Sequence, residues 1–302
     1  MLTPRRRCLS CNATEPIKST EATWPIGWRC PSCGRLIEQI GDIPLFAPKL
    51  ADTTSGFDPT AFEFLARVED ANFWFVARKE LIVGLVDGFF PNARSFLEIG
   101  CGNGDVLRAI SQSRHWDRLV GAELHPSGLA YARKRLRKEI ELVQMDARDI
   151  PASDAFDIVG AFDVIEHISE DEAVLQGLRR AVCKGGGILI AVPQHPWLWS
   201  SADDAAYHVR RYKRGEVEAK LRRNGFEILF SSSFTALLLP FMLVSRLQSK
   251  DEQDSSRLSR EFELGPRLNS FFLRVLRFEI RMTLAGWRWP AGGSRIVVGR
   301  AV

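Results

Sequence analysis

The sequence predicts an α/β protein in which a mostly parallel sheet carries helices on both faces. Between residues 95 and 192, apolar segments of strand length alternate with segments whose apolar residues recur at helical spacing. Such alternation favours parallel strands joined by right-handed crossovers. A turn with three glycines follows the first of these strands, and two cysteine pairs precede the whole region. We therefore expect one large domain with a small N-terminal addition.

The composition is that of a globular protein. The chain has 302 residues, of which 45% are hydrophobic and 26% charged, so a large core can be buried. A formal net charge of +4 neither requires nor excludes nucleic acid. The basic run Arg5-Arg6-Arg7 is not followed by the apolar stretch of a secretory signal, and no stretch predicts a transmembrane helix. We expect a cytoplasmic protein.

The N-terminal segment carries two Cys-x-x-Cys pairs, Cys8 with Cys11 and Cys30 with Cys33. Two such pairs separated by 18 residues have the spacing of a structural zinc site, because each pair presents two sulfurs to one metal. Two disulfides or four free thiols are the alternative. We predict a zinc ribbon over residues 1–46, a linker over 47–58 and the main domain over 59–302.

Hydrophobic periodicity predicts the elements of the main domain. A helical region at 59–90 comes first, and strands then alternate with helices up to residue 192. The predicted strands are 95–101, 119–124, 141–145, 157–163, 187–192, 226–231 and 295–300, and the predicted helices are 105–113, 126–137, 170–182 and 215–223.

The turn at 96–104 reads Phe-Leu-Glu-Ile-Gly-Cys-Gly-Asn-Gly. Glycine permits a sharp turn and lets a ligand approach bare backbone, and the helix that follows offers free N–H groups. The spacing differs from the G-x-G-x-x-G fingerprint of dinucleotide-binding proteins. Glu98 lies two residues before the first glycine, and Glu123 ends the next predicted strand, where an acidic residue can hold ribose hydroxyls.

This acidic-x-Gly-x-Gly-x-Gly pattern resembles motif I of class I S-adenosylmethionine (SAM)-dependent methyltransferases. Three further segments, at 144–151, 156–168 and 184–193, resemble later motifs of that family and occur in the same order. The resemblance runs from about residue 62 to residue 224 and includes the final strand. It implies a Rossmann-like fold with a seven-stranded, mostly parallel sheet and SAM at the carboxyl ends of the strands.

The resemblance also implies roles for individual residues. Asp146 would accept the adenine amino group, with the N–H of Ala147 next to the ring, although Asp146 as a helix cap is the alternative. Arg78 would pair with the methionyl carboxylate of SAM, against the alternative of a solvated helix residue. The implied cofactor-binding residues are Arg78, Glu98, Gly100, Cys101, Gly102, Asn103, Gly104, Glu123, Leu124, Asp146, Ala147, Phe162 and Asp163.

His167 is the first candidate for a general base, because an unperturbed histidine titrates near neutral pH. His208 is the second, together with His195. The string Asp163-x-x-Glu166-His167 resembles the E-x-x-E-H metal constellation of ubiquinone-pathway O-methyltransferases and small-RNA 2′-O-methyltransferases, with Asp in place of the first Glu. A divalent cation at these three residues is therefore an alternative.

The loop after the fifth predicted strand gathers aromatic and basic side chains at the edge where substrates would enter. Arginines there can clamp a phosphate or carboxylate, or else cap the following helix. These side chains are Trp197, Trp199, Arg210 and Arg211.

An insertion at about 233–293 separates the last two predicted strands. It contains an apolar segment with Pro240, a charged stretch at 250–260 and an amphipathic helix at 268–285. The insertion is a candidate lid over an apolar substrate and a candidate for peripheral contact with a membrane surface. The alternative is a helical subdomain that packs on itself or on a second copy.

The sequence leaves three candidate functions for the protein. The first is O-methylation of a small amphiphilic or lipid-linked molecule, indicated by the apolar insertion. The second is RNA methylation, because some rRNA guanine methyltransferases join a zinc ribbon to this fold. The nearly balanced charge and the absence of an N-P-P-Y type motif after the fourth strand argue against it. The third is a non-enzymatic module that binds a partner through its ribbon, and the intact acidic and glycine motifs argue against that one.

Overall fold

A computed structural model describes residues 3–18, 21–51, 58–59, 61–248 and 264–302 of the chain. Most of these residues surround one nine-stranded sheet, and a separate three-stranded sheet lies at the N-terminal segment. In chain order the described strands are β1 (Arg5–Arg7), β2 (Thr14–Pro16), β3 (Glu38–Ile40), β4 (Ile43–Leu45), β5 (Ser95–Ile99), β6 (Arg118–Glu123), β7 (Glu141–Gln144), β8 (Ala152–Ser153), β9 (Phe156–Phe162), β10 (Val182–Pro193), β11 (Phe226–Phe234) and β12 (Ser294–Ala301).

Helices cover both faces of the large sheet, as the strand–helix alternation of the sequence predicts. Short 3₁₀ turns occupy Pro48–Leu50, Ile165–His167 and Pro196–Leu198. In chain order the described helices are α1 (Ala61–Val68), α2 (Phe73–Phe89), α3 (Asp105–Ser113), α4 (Pro126–Arg135), α5 (Asp171–Ala181), α6 (Ser201–Ala205), α7 (Glu216–Arg223), α8 (Leu239–Gln248) and α9 (Pro266–Leu284).

The strands of the large sheet lie in the order β11-β12-β10-β9-β5-β6-β7-β4-β3. The strands β7, β6, β5, β9 and β10 are parallel, and β12 runs antiparallel to both of its neighbours. The carboxyl ends of the parallel strands therefore meet at one edge. The predicted Rossmann-like class I methyltransferase architecture is confirmed, but the sheet has nine strands where seven were expected.

The two additional strands come from the N-terminal segment. Strand β4 lies parallel to β7, with Leu45 opposite Gln144, and the hairpin β3–β4 ends the sheet. Three-residue strands in a polar sequence carry no periodicity, so the sequence gives no signal for this extension. The side chain of Gln144 completes the join, since it accepts from the N–H of Ala47 at 2.9 Å and donates to the Ala47 carbonyl at 2.8 Å.

Buried side chains also tie the N-terminal segment to the main domain. Strand β1 pairs with β8, and the Trp24 indole donates to the Pro151 carbonyl at 3.0 Å. Cys8, Cys30 and Trp24 belong to the same apolar cluster as the strands of one sheet face. The predicted boundary at residue 46 therefore does not mark a gap in packing. Of the predicted linker, residues 48–50 form a 3₁₀ turn and residues 52–57 lie outside the described residues.

Each strand places alternate side chains on opposite faces of the sheet. Leu97 of β5 contributes to one apolar cluster and Phe96 to the other. Strand β10 begins five residues before its predicted start, because Val182 pairs with Phe156 and the register then shifts before Gly187. A Cβ atom at Gly187 would lie 2.5 Å from the Phe90 ring, so a side chain at this position would require that ring to move.

The insertion leaves and re-enters the sheet at the edge where the parallel strands end. Phe234 of β11 and Pro193 of β10 both pair with Ser294, the first residue of β12. Helix α9 packs along α2 and matches the predicted helix, whereas the predicted charged stretch at 250–260 lies outside the described residues. Among the helices that the structure describes, none combines the length and apolarity needed to cross a bilayer.

Candidate active site

The glycine turn between β5 and α3 holds three left-handed backbone positions. The φ angles of Gly100, Gly102 and Gly104 are +68°, +50° and +75°. A Cβ atom at Gly100 would lie 2.4 Å from Cγ2 of Val164. A side chain is therefore excluded there by backbone conformation and by space together. The turn packs against Val164, which follows β9. The backbone of the turn therefore lies close to the carboxyl ends of β5 and β9.

Glu98 is the acidic residue that precedes this turn. Its side chain is buried, and the oxygen Oε2 has no hydrogen-bond partner in the described structure. Burial raises the pKa of Glu98 well above its usual range, although the positive charge of Arg78 opposes this shift. A cationic or N–H-bearing ligand at the turn would satisfy the unpaired oxygen. Glu98 thus fits the predicted role in binding SAM.

Glu123 closes the other side of the turn. Its carboxylate accepts from the backbone N–H groups of Gly102 at 3.1 Å, Leu124 at 2.8 Å and His125 at 3.1 Å. These bonds hold β6 against the glycine turn. Burial nevertheless raises the Glu123 pKa. Contact of Glu123 and Leu124 with the ribose stays a prediction.

Helix α1 lies over the glycine turn. Asn103, a predicted cofactor residue, donates from Nδ2 to the Phe62 carbonyl at 3.0 Å. The Phe62 ring is buried against the turn, since a Cβ atom at Gly102 would lie 3.6 Å from it and one at Gly128 2.8 Å. An aromatic residue in an amphipathic helix has the sequence signal of a core residue, so no pattern distinguishes Phe62.

Arg78 forms an ion pair with Asp163, and both were predicted to contact SAM. The side chain of Arg78 is 14% exposed, and its guanidinium carbon lies 4.7 Å from the centroid of the Trp74 ring. Arg78 is therefore not a solvated residue on the helix surface, which was the alternative. Asp163 follows β9 with φ +57°, an uncommon angle for a residue other than glycine. The pair places one positive and one negative group side by side at the sheet edge.

Four other predicted residues have contacts within the chain. Asp146 accepts from the Arg148 backbone N–H at 2.9 Å and from its Nε at 3.0 Å within a turn, and no described helix begins there for it to cap. Phe162 is buried against the sheet, because a Cβ atom at Gly160 would lie 2.8 Å from its ring. Cys101 and Ala147 are also buried. Their predicted contacts with SAM stay predictions.

A second group of polar side chains lies at the same sheet edge. Ligand atoms of Glu166, His167 and His208 all lie within 4.8 Å of one another. The two imidazole rings meet edge to face with centroids 4.8 Å apart. His208 Nε2 lies 3.8 Å from a carboxylate oxygen of Glu166, and its Nδ1 donates to Asp203 at 2.9 Å. The two predicted catalytic histidines are therefore neighbours, although 41 positions separate them in the sequence.

Glu166 is fully buried, and neither carboxylate oxygen has a hydrogen-bond partner in the described structure. Burial raises its pKa well above the usual range, and the negative charge of Asp163 adds to the shift. Two unpaired oxygens beside two imidazoles suit a divalent cation. The sequence predicts Asp163, Glu166 and His167 as the cation ligands. In the structure Asp163 pairs with Arg78 instead, and the third residue beside Glu166 and His167 is His208.

The loop after β10 holds His208 through buried charges. Although burial opposes ionisation, hydrogen bonding from His208 and the charge of Arg211 lower the pKa of Asp203 to about 2. Arg211 donates to Asp203 at 2.6 Å and to the Gln194 carbonyl at 3.2 Å, and Arg210 pairs with Asp171 at 2.9 Å. Neither arginine caps the following helix, and both fix the loop.

Two tryptophans of this loop are exposed. The His195 ring stacks on Trp197 with centroids 5.0 Å apart. Burial and the charge of Arg295 lower the His195 pKa. Trp197 is 59% exposed, and Trp199 is also exposed. The loop therefore presents two large apolar side chains to its surroundings.

The four N-terminal cysteines converge on one point. Cys8 and Cys33 have sulfurs 3.7 Å apart, and Cys11 and Cys30 have sulfurs 3.6 Å apart. A disulfide requires about 2.05 Å, whereas tetrahedral Zn–S bonds of about 2.3 Å give sulfur separations near 3.8 Å. Backbone N–H groups of Ser10 and Cys11 outweigh burial and lower the Cys8 pKa to about 6. The cluster fits a structural zinc ion and not a pair of disulfides.

Comparison with known proteins agrees with this geometry. Residues 97–191 match the family model described as a methyltransferase domain. A probable S-adenosylmethionine-dependent methyltransferase of Mycolicibacterium smegmatis is 25% identical over 165 residues, which are 53% of this chain and 61% of that protein. A ubiquinone biosynthesis O-methyltransferase of Cronobacter sakazakii is 24% identical over 192 residues, 61% of this chain and 72% of that protein. The chain thus spans less than two thirds of the first relative.

Solved structures show the same fold. A SAM-dependent methyltransferase of Thermotoga maritima, described as a possible histamine N-methyltransferase, superposes with a TM-score of 0.50 at 16% identity and covers 80% of this chain and 94% of its own. A chain from the complex between the Haloferax volcanii Trm112 methyltransferase activator and the putative methyltransferase also has a TM-score of 0.50 at 16% identity. It covers 80% of this chain and 97% of its own. Identity this low describes the fold and not the substrate.

Proposed function

We propose that this chain, which has the fold of class I SAM-dependent methyltransferases and matches a methyltransferase family model over residues 97–191, transfers a methyl group from SAM to a hydroxyl oxygen of a small amphiphilic or lipid-linked molecule. The observation that carries the acceptor side of this proposal is the cluster of Glu166, His167 and His208. It lies at the sheet edge where the glycine turn would receive SAM. A hydroxyl acceptor needs a group that takes or weakens its proton, and this cluster supplies such groups.

The residues around the glycine turn fit SAM. SAM supplies an electrophilic methyl group on a sulfonium, so that the carbon–sulfur bond breaks as the new bond to the acceptor forms. Gly102 leaves its backbone without a side chain, which permits close approach, and the unpaired Glu98 oxygen suits the ammonium group of the methionyl end. Contact between the Glu123 carboxylate and the ribose hydroxyls of SAM is part of this proposal. Alignment of the two reactants can supply about 7 to 11 kcal/mol toward the barrier of such a reaction.

On the acceptor side, His208 is the stronger candidate for the base. Asp203 accepts from Nδ1 of His208, so Nε2 faces Glu166 and is the nitrogen available to an acceptor hydroxyl. The acceptor proton would move to this nitrogen as the oxygen attacks the methyl carbon. His167 lies beside it and would help to position the hydroxyl.

A divalent cation is the second way in which this cluster can act. Glu166, His167 and His208 would hold it, and Asp203 would orient His208, as carboxylates behind metal-bound histidines commonly do. A cation there would lower the pKa of an acceptor hydroxyl. Both mechanisms use the same residues to remove the proton of the acceptor hydroxyl. Activity measured with and without chelator distinguishes them.

The proposed acceptor class follows from the surroundings of the cluster. Exposed tryptophans on the loop after β10 and an apolar helical insertion lie at the same sheet edge. These features suit an acceptor with an apolar body. One relative is named a ubiquinone biosynthesis O-methyltransferase, and this name supports a hydroxyl on a lipid-linked ring.

The first test is calorimetric titration with SAM, followed by methyl transfer from radiolabelled SAM to a long-chain catechol. The matched control acceptor is the same catechol with both hydroxyls already methylated. We expect SAM binding and transfer to the catechol alone. Absence of SAM binding would refute the enzymatic proposal. Transfer to RNA with none to hydroxylated lipids would replace the proposed acceptor by a nucleic acid.

A further inference from the structure

The outward face of the insertion combines arginine with exposed apolar side chains. We call it the α8–α9 surface and define it by Phe241 and Val244 of α8 and by five residues of α9. The α9 residues are Arg267, Phe271, Arg274, Phe278 and Arg281, and all seven are exposed.

The order of these residues on α9 follows from helical geometry. Arg267, Arg274 and Arg281 stand seven positions apart, and a seven-residue step drifts by only about 20° around a helix. The arginines therefore form a row along the helix. Phe271 and Phe278 form a second row next to it, by the same spacing. Buried residues such as Leu276 and Ile280 occupy the opposite side of the helix, which faces the domain.

The apolar part of the surface extends from α9 onto α8. Phe271 is 49% exposed, Phe278 55% and Phe241 54%. The Phe241 ring lies 5.5 Å from that of Phe272, which in turn lies 5.9 Å from Phe271, so the two helices share one aromatic patch. Large exposed apolar side chains that adjoin one another mark an interaction surface.

The charge of the surface is positive. Arg277 forms an ion pair of 2.6 Å with Glu80 of α2. Glu279 is buried and accepts hydrogen bonds from the backbone N–H groups of Ala236 and Leu237. Within the described residues, no carboxylate lies within ion-pair distance of the arginine row. The row therefore presents a line of positive charge directly beside apolar rings.

We propose that the α8–α9 surface binds an anionic membrane, with both helices lying along the bilayer surface. The phenylalanine rings would enter the boundary between headgroups and acyl chains, and the arginines would pair with lipid phosphates. A bilayer supplies uniform negative charge along the whole arginine row. A protein partner would need an acidic face spaced to match three arginines and an apolar face beside it.

The position of the surface suits an enzyme whose substrate lies in a membrane. The insertion joins the sheet at Phe234 and Ser294, the edge that also carries the Glu166 cluster. Helix α9 packs on α2, and α2 carries Arg78 at the candidate SAM site. Membrane binding goes beyond the proposed reaction, since it requires neither SAM nor a methyl acceptor.

The test is sedimentation of the full chain with vesicles in the absence of SAM. Equimolar phosphatidylglycerol and phosphatidylcholine form the anionic vesicles, and phosphatidylcholine alone forms the neutral ones. We expect binding to the anionic vesicles that weakens with salt. Arg274→Gln with Arg281→Gln should weaken binding about fivefold for each arginine, since each contributes about 1 kcal/mol near such a surface. Phe271→Ser with Phe278→Ser should weaken it at all salt concentrations.

The matched control is Arg137→Gln with Lys138→Gln, which removes the same charge from the exposed loop between α4 and β7. This control should bind as the wild type does, and unchanged melting curves would verify that all variants fold. Wild-type protein that ignores anionic vesicles would overturn the proposal. Vesicle binding unaffected by either α9 pair would also overturn it, and loss of self-association alone would indicate a contact between copies. Because SAM is absent, failure here is distinct from failure of methyl transfer.

Discussion

Asp203 accepts a hydrogen bond of 2.9 Å from Nδ1 of His208, and this bond decides which imidazole nitrogen faces the acceptor side. With Nδ1 committed, Nε2 lies 3.8 Å from a carboxylate oxygen of Glu166. Arg211 donates to the same Asp203 oxygen at 2.6 Å, so the carboxylate remains ionised and buried. Asp203 therefore acts on the cluster through His208 and is a positioning residue.

Replacement of Asp203 by asparagine tests this role. The side chain keeps its size but loses the charge that orients His208 and neutralises Arg211. We expect kcat for methyl transfer to fall about tenfold to hundredfold, as for other residues behind catalytic or metal-bound histidines, while SAM affinity is retained.

Asp204→Asn is the matched control for that variant, because Asp204 is the exposed neighbour and bonds only the Trp199 indole among the described residues. It should keep wild-type kcat. An Asp203→Asn enzyme with an unaltered kcat would show that His208 needs no orienting carboxylate.

Glu166 should make the stability of the metal-free protein depend on pH. Burial raises its folded-state pKa, so the folded state holds this proton more tightly than the unfolded state. Stability is then greatest below the ordinary carboxyl pKa of about 4.3 and declines as pH rises toward the folded-state value. Glu166→Gln cannot ionise, so its stability should lack this decline and exceed that of the wild type toward neutral pH.

Melting temperatures measured across this pH range in the presence of chelator check the expectation. Glu139→Gln, at an exposed position, controls for the loss of one charge. Parallel pH curves for the wild type and Glu166→Gln would contradict the argument. A divalent cation that stabilises the wild type but not Glu166→Gln would support the cation set.

Gly100→Ala should be strongly destabilising. The residue has φ +68°, and its new Cβ would meet Val164 at 2.4 Å. Left-handed strain and overpacking together cost about 2 to 4 kcal/mol. Chemical denaturation measures this loss, and calorimetry should detect no SAM binding. Gly88→Ala in α2 is the opposite case: its Cβ meets open space, so we expect a gain of about 0.5 to 1 kcal/mol.

Cys30→Ser should release the predicted zinc ion and lower the stability of more than the N-terminal segment. Cys30 is buried, and its sulfur lies 3.6 Å from that of Cys11. Since Cys30 shares a core with one face of the large sheet, its replacement should lower the main melting transition. Elemental analysis should find one zinc per wild-type chain and per Cys183→Ser chain. Full stability of a metal-free Cys30→Ser protein would refute a structural metal.

The sequence predicts those parts of the fold that rest on local periodicity. Strand β5, the turn at Gly100 and helix α3 follow from apolar spacing and glycine placement within about twenty residues. Long-range pairing escapes such patterns. The partnership of Arg78 with Asp163 joins residues 85 positions apart, and nothing in either segment distinguishes it from a contact with a ligand.

The candidate cation set shows the same limit. A short motif groups Asp163, Glu166 and His167 by sequence spacing, but side-chain direction decides which of them converge. Asp163 turns toward α2, and His208 arrives from a loop that follows a different strand. The chemistry of the residues was predictable from their type, whereas the membership of the cluster depended on tertiary structure.

The pairing of β4 with β7 has a consequence for the order in which the chain folds. Leu45 contacts a strand about a hundred residues later, and β1 contacts β8 at a still greater separation. Contacts between such distant segments form slowly, because a long loop must close first. During synthesis the two Cys-x-x-Cys pairs leave the ribosome well before strands β7 and β8, with which the N-terminal segment pairs. We expect zinc binding to precede docking, so the metal would hold this segment in shape until the sheet edge exists.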